Sequence, residues 1–348
     1  MPPLFLRHEP ALVTLLADVE QTAESLRPLP VGSPGAVTER SKSGNAYWYR
    51  QFYDAAGHKR DEYLGPVGDA AGDARQNEAL AWIAAARALG GSVRVLRRAG
   101  FPAVDGRTAA TLASLANAGI FAAGAVLVGS HAFGALCGAL GLRVAQYRTE
   151  DVDVARPYRL QLSADVSTLG LAALLARTGI PFVEVPSIDP RQPAVSLKPP
   201  GADRLRVDLL MPGKTYGIAP VAELGFAAQT LPQLDFLIAH PQRGVVLGPD
   251  LAIPLLVPSP ERFAWHKVRT SIQPDRTPAK VAKDMAQARV LLAALAERDP
   301  SSLEAALGEL PRREQKRILG RIRVDLPAFA AHREARAWLG DLCKPSTE

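Results

Sequence analysis

The 348-residue chain is poor in the residues that hold soft metals: two cysteines and six histidines. Cys137 and Cys343 have no partner at metal-ligand spacing and the histidines are scattered, so no zinc site is in view, and the thiols read as bystanders in a reducing compartment. No apolar run is unbroken over the length that a bilayer demands. Glu9 and Asp18 come too early for a signal peptide, so a cytoplasmic protein is expected, without a membrane partner. There is no internal repeat and no low-complexity tract.

Apolar residues make up 47% of the chain, enough at this length for two or three domains with proper cores. The net charge of +6 favours a polyanionic partner. Most of that excess lies between positions 261 and 348, with 17 basic against 12 acidic residues.

Along the chain, a helix is expected from Ala11 to Leu26, stopped by Pro28 and Pro30. Three short strands follow, Gly35 to Arg40, Asn45 to Tyr53 and Arg60 to Gly65, joined by turn residues. In the middle strand Tyr47, Tyr49 and Tyr53 alternate with Trp48, Arg50 and Phe52, and Arg40, Lys42, Lys59 and Arg60 stand at strand ends and turns. Interleaved aromatic and basic residues can stack bases and pair phosphates. The expectation is the plainer alternative, that the aromatics form a miniature core against a helix. A long helix runs from Asp69 to Ala99, broken or bent at Gly90-Gly91, and another from Thr108 to Ala118. Beyond a helix near Leu169 to Arg177 come strand-like runs at Phe182 to Val185, Ala194 to Leu197, Leu205 to Leu210, Leu234 to Ile238, Val245 to Leu247 and Ile253 to Val257. From Pro260 the pattern is helical, ending in a run from Arg312 to Leu339.

The chemistry concentrates between Ala125 and Ala155. An apolar strand leads into a Gly129-Ser130 turn and a small-residue helix, and then come Asp151 and Asp153. Strand alternation sends these two carboxylates to the same side. Like charges so close repel by about 4 kcal/mol at an effective dielectric of 20, so they call for a cation, and oxygen-only ligands suit Mg²⁺ or Mn²⁺. The Gly-Ser turn at a helix start offers backbone N–H groups and a hydroxyl to phosphate. Asp208, alone in the apolar run Leu205 to Leu210, needs a partner, and a metal site with Asp151 and Asp153 would be one. Helix-capping or surface acids are the plain alternative for Asp151 and Asp153. His131 beside Ser130 is expected to be structural, since no nucleophile elbow surrounds the serine, and Gly129, Gly134, Gly138 and Gly141 lack dinucleotide-fingerprint spacing.

In order, Val128-Gly129-Ser130, Asp151-Val152-Asp153-Val154 and Val207-Asp208-Leu209 resemble the three signature pieces of the DNA polymerase β-like nucleotidyltransferase superfamily. More particularly, Gly129 to Phe133, Thr149 to Asp153, Val257 to Lys267 and Lys280 to Asp284 resemble segments of a bacterial family of predicted nucleotidyltransferase-fold proteins. His131 to Glu150 is longer than the usual spacer, which implies an extra turn or loop. The resemblance implies an α+β fold, a short mixed sheet with helices. It also implies Mg²⁺ or Mn²⁺ at Asp151, Asp153 and Asp208, with Asp208 either completing a second metal site or acting as general base. Gly129 and Ser130 would hold the nucleoside triphosphate's β- and γ-phosphates. Lys267, with Lys283 beside it, would counter their charge, although Lys267 can equally be a plain surface lysine. The implied reaction moves a nucleoside monophosphate to a hydroxyl and releases pyrophosphate. The acceptor would be RNA such as tRNA, or a protein hydroxyl as in toxin and antitoxin systems. A nucleic-acid-binding or regulatory protein on a catalytically degenerate scaffold is the competing expectation. The expected division is a helical and β-ribbon module over 1–104, a catalytic domain over 105–258 and a helical domain over 259–348.

Overall fold

The computed structural model describes residues 2–145, 149–157, 160, 164–187 and 189–344, with backbone alone for 164–168. The chain opens with β1 (Leu6–Arg7) and α1 (Pro10–Ser25), where Pro10 sits in the first turn and loses no needed N–H. A ribbon follows: β2 (Ala36–Lys42), β3 (Asn45–Tyr53) and β4 (Lys59–Pro66), an antiparallel sheet in the order β2-β3-β4. Next come α2 (Ala70–Arg98) and α3 (Gly106–Asn117), capped by the Asp69 and Asp105 carboxylates. Then run β5 (Val126–Leu127), α4 (Gly129–Ala139), β6 (Leu142–Arg143), β7 (Asp151–Ala155), α5 (Ala164–Ala176), β8 (Val183–Glu184), β9 (Ser196–Lys198) and β10 (Arg206–Pro212). They are followed by β11 (Gly217–Val221), β12 (Phe226–Leu231), α6 (Leu234–Ile238), β13 (Gln242–Leu247) and β14 (Ala252–Val257). The last helices are α7 (Pro260–Ser271), α8 (Pro278–Ala296), α9 (Pro300–Gly308), α10 (Arg312–Asp325) and α11 (Arg333–Leu342).

The fold is α+β. Its main sheet runs β11-β12-β10-β7-β5, parallel where β10 meets β7 and β12 and antiparallel elsewhere. On the edge opposite β7, β10 pairs first with β9, placing Ser196 against Asp208, and then with β12. Val152, Val154, Val207 and Leu209 send the apolar faces of β7 and β10 into one continuous core. That core reaches from Phe5 through Trp265 and Phe329 to Cys343. A smaller cluster locks α1 and α2 onto β13 and β14 through Leu16, Val19, Leu89, Val93 and Val245.

Four local expectations change. Leu234 to Ile238 is a helix, because a short apolar run reads as strand or helix alike. The terminal run divides at a 3-10 turn over Leu326–Phe329, where Pro327 cannot continue the helical bonds. α2 passes unbroken through Gly90-Gly91. Gly90 answers a packing need instead, since a Cβ there would lie 2.9 Å from the Asp250 carbonyl. α2 is also long and apolar enough by composition to cross a membrane, yet its apolar side is occupied by α1 and β14. Within the ribbon, the Trp48 indole donates to Asp73 of α2, and the Arg50 guanidinium lies over the rings of both Phe52 and Trp82. The aromatic core against a helix therefore forms from the Trp48 and Phe52 side alone.

Trp265 of α7 is fully buried, and its indole donates to the Leu303 carbonyl of α9 at 2.8 Å. Trp265→Ala should lower unfolding free energy by about 3–5 kcal/mol in urea titrations. A change under about 1 kcal/mol would contradict this packing.

Candidate active site

The register of β7 and β10 decides the geometry. Asp153 lies directly opposite Asp208 on neighbouring parallel strands, about 4.8 Å apart in backbone. Asp151 stands two residues back on the same face. The intervening Val152, Val154, Val207 and Leu209 are buried, so the three acids all line the floor of a cleft of about 500 Å³. Gly129, Ser130, Lys267 and Lys283 line the same cleft. All seven residues singled out from the sequence thus come together.

Gly129 is fixed by two requirements. Its φ of +70° is in the left-handed region, and a Cβ there would sit 2.2 Å from Oδ2 of Asp153. The N-terminus of α4 is thereby pressed against the carboxylate, and the Val128 N–H donates to the Asp153 carbonyl at 2.9 Å. The Ser130 hydroxyl accepts a long bond of 3.4 Å from Gln287 of α8, a fully buried amide whose own Oε1 has no partner among the described residues. Between Ser130 and Asp151 the chain runs through the rest of α4, from His131 to Ala139, and through β6, which pairs with β1; residues 146–148 of this longer spacer lie outside the described residues. His131 is buried in the first turn of α4, where burial drives its pKa down to about 4 and keeps the ring neutral.

The opposite wall comes from α7 and α8. Lys267 is largely buried rather than a surface lysine, and it donates to Oδ1 of the buried Asp284 at 2.9 Å. Arg276 reaches Oδ2 of Asp284 at 2.8 Å through Nε, and Thr270 approaches the same oxygen. Burial lowers the Lys267 pKa, and Asp284 opposes that shift. On the strand side, Arg206 donates through Nε to Oδ1 of Asp208 at 2.6 Å and through its NH2 group to Ser196, which bonds the same Asp208 oxygen. Asp284, Arg276, Arg206 and Ser196 were not singled out beforehand for the site. Arg206 was within reach, two residues before Asp208 on one strand face, whereas Ser196 needed the sheet register. The cleft opens into a second hollow of about 600 Å³ that shares Tyr216, Arg276 and Lys280 with it and adds Arg269 and Arg317.

Burial raises the Asp153 pKa to about 7, and the charges of Asp208 and Asp151 push it the same way, against Lys267 and Lys283. The two neighbouring carboxylates add negative potential to that burial, which a cation relieves. The donors are hard oxygens, as Mg²⁺ or Mn²⁺ prefers. Among the described residues no three acidic or histidine side chains are drawn tightly enough together to hold an ion by themselves. Arg206 and Ser196 hold Asp208 by one oxygen, and phosphate oxygens would complete such a set.

Two outcomes follow. Asp153 ionises near 3.8 when unfolded and near 7 when folded. Without divalent cation, its stabilising contribution is complete below about pH 4 and is lost as pH rises through 7, on the order of 4 kcal/mol. Asp153→Asn should therefore melt above the parent at pH 8 in EDTA, and Mg²⁺ should raise the parent's Tm but not the variant's. Equal melting of the two at pH 5 and at pH 8 would refute this account of the charge. Gly129→Ala should cost about 2 kcal/mol or more from backbone strain and the displaced carboxylate, read by thermal melting. A variant as stable as the parent would show that the close approach is absent.

Neither a curated protein nor a solved structure matches the chain. The model of one family, described as Nucleotidyltransferase, matches residues 106–311, a stretch holding the three aspartates, the Gly-Ser turn, Lys267 and Lys283. With more than half of the chain inside that match, the protein belongs to the nucleotidyltransferase family.

Proposed function

We propose that the chain is a divalent-cation-dependent transferase that moves a nucleoside monophosphate from a nucleoside triphosphate to a hydroxyl of RNA. The observation that carries this is the pairing of Asp153 with Asp208 across two parallel strands, beside Asp151 and a helix N-terminus. Asp151, Asp153 and Asp208 would hold Mg²⁺ or Mn²⁺. When bound, such an ion neutralises triphosphate charge and lowers the pKa of an incoming hydroxyl.

The remaining work falls to the chain's own groups. Ser130 and the first N–H groups of α4 bind the β- and γ-phosphate oxygens, an anion placed on the positive end of a helix. Lys267 and Lys283 stabilise the charge that gathers on the leaving pyrophosphate. The acceptor oxygen attacks the α-phosphorus, the bond from that phosphorus to the bridging oxygen breaks, and Asp208 takes the hydroxyl proton. Arg206 and Ser196 hold Asp208 by one oxygen, which orients the carboxylate for that transfer. Asp284 keeps Lys267 charged in its buried setting and ties α7 to α8 within one wall of the cleft. An RNA acceptor is favoured over a protein hydroxyl by the adjoining hollow, where Arg269, Arg276, Lys280 and Arg317 outnumber the acids Asp275 and Glu314 and Tyr216 offers an exposed ring. Buried, unpaired thiols at Cys137 and Cys343 suit the reducing cytoplasm, where triphosphates are abundant.

The test is incubation with each α-³²P-labelled nucleoside triphosphate, Mg²⁺ and total RNA or protein. Label should appear in RNA, and EDTA should abolish transfer. Asp153→Ala and Asp208→Asn should each reduce the rate by at least about a thousandfold. Salt-sensitive RNA binding with no label transfer from any triphosphate, and unaltered by Asp151→Ala, would replace this reading with that of a degenerate scaffold.

A further inference from the structure

The three-stranded ribbon has one face occupied and one open. Trp48, Arg50 and Phe52 point toward α2, where Gly65 and Gly72 let the two backbones touch: a Cβ on Gly65 would lie 2.6 Å from the Gly72 Cα. Alternation sends Tyr47, Tyr49, Gln51 and Tyr53 to the other face. The register sets Arg40 beside Tyr47 on β2, and Tyr63 beside Tyr49 and Lys59 beside Tyr53 on β4. Lys42 follows Arg40 on that face at the hairpin end.

This face is aromatic and open to solvent. Tyr53 and Tyr63 are 56% and 53% exposed, unusual for rings at the middle or end of a sheet strand. The Tyr63 ring stands 5.5 Å from Tyr49 and 6.0 Å from Tyr47, so the three form a continuous aromatic patch. Arg40 lies over Tyr49 at 5.0 Å and pairs with Asp61, the acid of this face. Among the described residues Lys42 and Lys59 have no ion-pair partner, which leaves the patch flanked by free positive charge at both ends.

We infer that the outer face of the β2-β3-β4 ribbon binds single-stranded RNA. Exposed rings offer unstacked bases a platform, and a duplex would present only its phosphates and groove edges to them. Lys42, Lys59 and Arg40 track the phosphates on either side. The tyrosyl hydroxyls and the Gln51 amide supply hydrogen-bond partners that a ribose 2′-hydroxyl can use and a deoxyribose cannot. This surface is separate from the carboxylate cleft, and its occupancy needs neither a triphosphate nor a metal ion.

The experiment titrates the full chain into a fluorescein-labelled mixed-sequence 12-nucleotide RNA, in EDTA and without nucleotide, and reads anisotropy. Binding should weaken about 20-fold between 50 and 200 mM KCl, as expected for about three phosphate contacts on a single strand. Tyr53→Ala with Tyr63→Ala should weaken it by about 30-fold or more, whereas Tyr53→Phe with Tyr63→Phe should keep the stacking and narrow the preference for RNA over DNA. Lys42→Glu with Lys59→Glu leaves the ring packing untouched and should weaken binding and flatten the salt dependence. The inference is overturned by absence of RNA binding, by parent-like affinity in the lysine pair, or by DNA of the same sequence binding as tightly as RNA. Because the titration contains neither nucleotide nor metal ion, failure here is distinguishable from failure of nucleotidyl transfer.

Discussion

Three carboxylates share one face of a two-strand platform whose other face is hydrocarbon, and most of the architecture around them manages that crowding. The apolar side chains between them, Val152, Val154, Val207 and Leu209, hold β7 and β10 in register from below, so the acids cannot rotate apart without exposing the core. Asp153 takes the greatest strain because it is the most enclosed, with Gly129 closing over it where any side chain would collide. Burial and the two neighbouring acids raise the Asp153 pKa to about 7, and a bound cation would favour its charged form. The electrostatics thus tie the chain's acid-base behaviour to its chemistry.

The positive side of the cleft is assembled with equal economy. Asp284 is buried in α8 and receives both Lys267 and Arg276, so one acid from a distant helix fixes two cations near the carboxylates. Arg262, also buried, binds the Phe236 carbonyl of α6 and Glu309 beyond α9, which sets the position of α7. The cleft is therefore rigid on both walls: a sheet register on one, a web of buried ion pairs on the other. Rigidity of this kind suits reactions in which positioning and charge stabilisation carry the rate.

The acids, the Gly-Ser turn and the start of α7 were open to reading from the chain alone, because each is announced by short-range rules. Alternation places Asp151 with Asp153, an isolated charge in an apolar strand marks Asp208, and proline after serine opens the helix at Pro260. The helix over Leu234–Ile238 and the strands β11 and β12 escaped that reading, since runs of five or six mixed residues have no period long enough to distinguish helix from strand. On the ribbon, alternation sorted tyrosines from Trp48 and Phe52, but nothing local told which set would meet α2.

What the sequence determined by itself was the inventory: an acidic triad, a phosphate-sized turn, basic residues gathered toward the C-terminal end, and the order in which they occur. Tertiary structure alone decided the pairings. Ser196 meets Asp208 because β9 lies antiparallel against β10, and Lys267 meets Asp284 because α7 packs on α8. The physical reason is range. Hydrophobic period and turn chemistry act over a few residues, whereas a buried charge is satisfied by whichever opposite group the packed core brings within hydrogen-bond distance, however far along the chain it began.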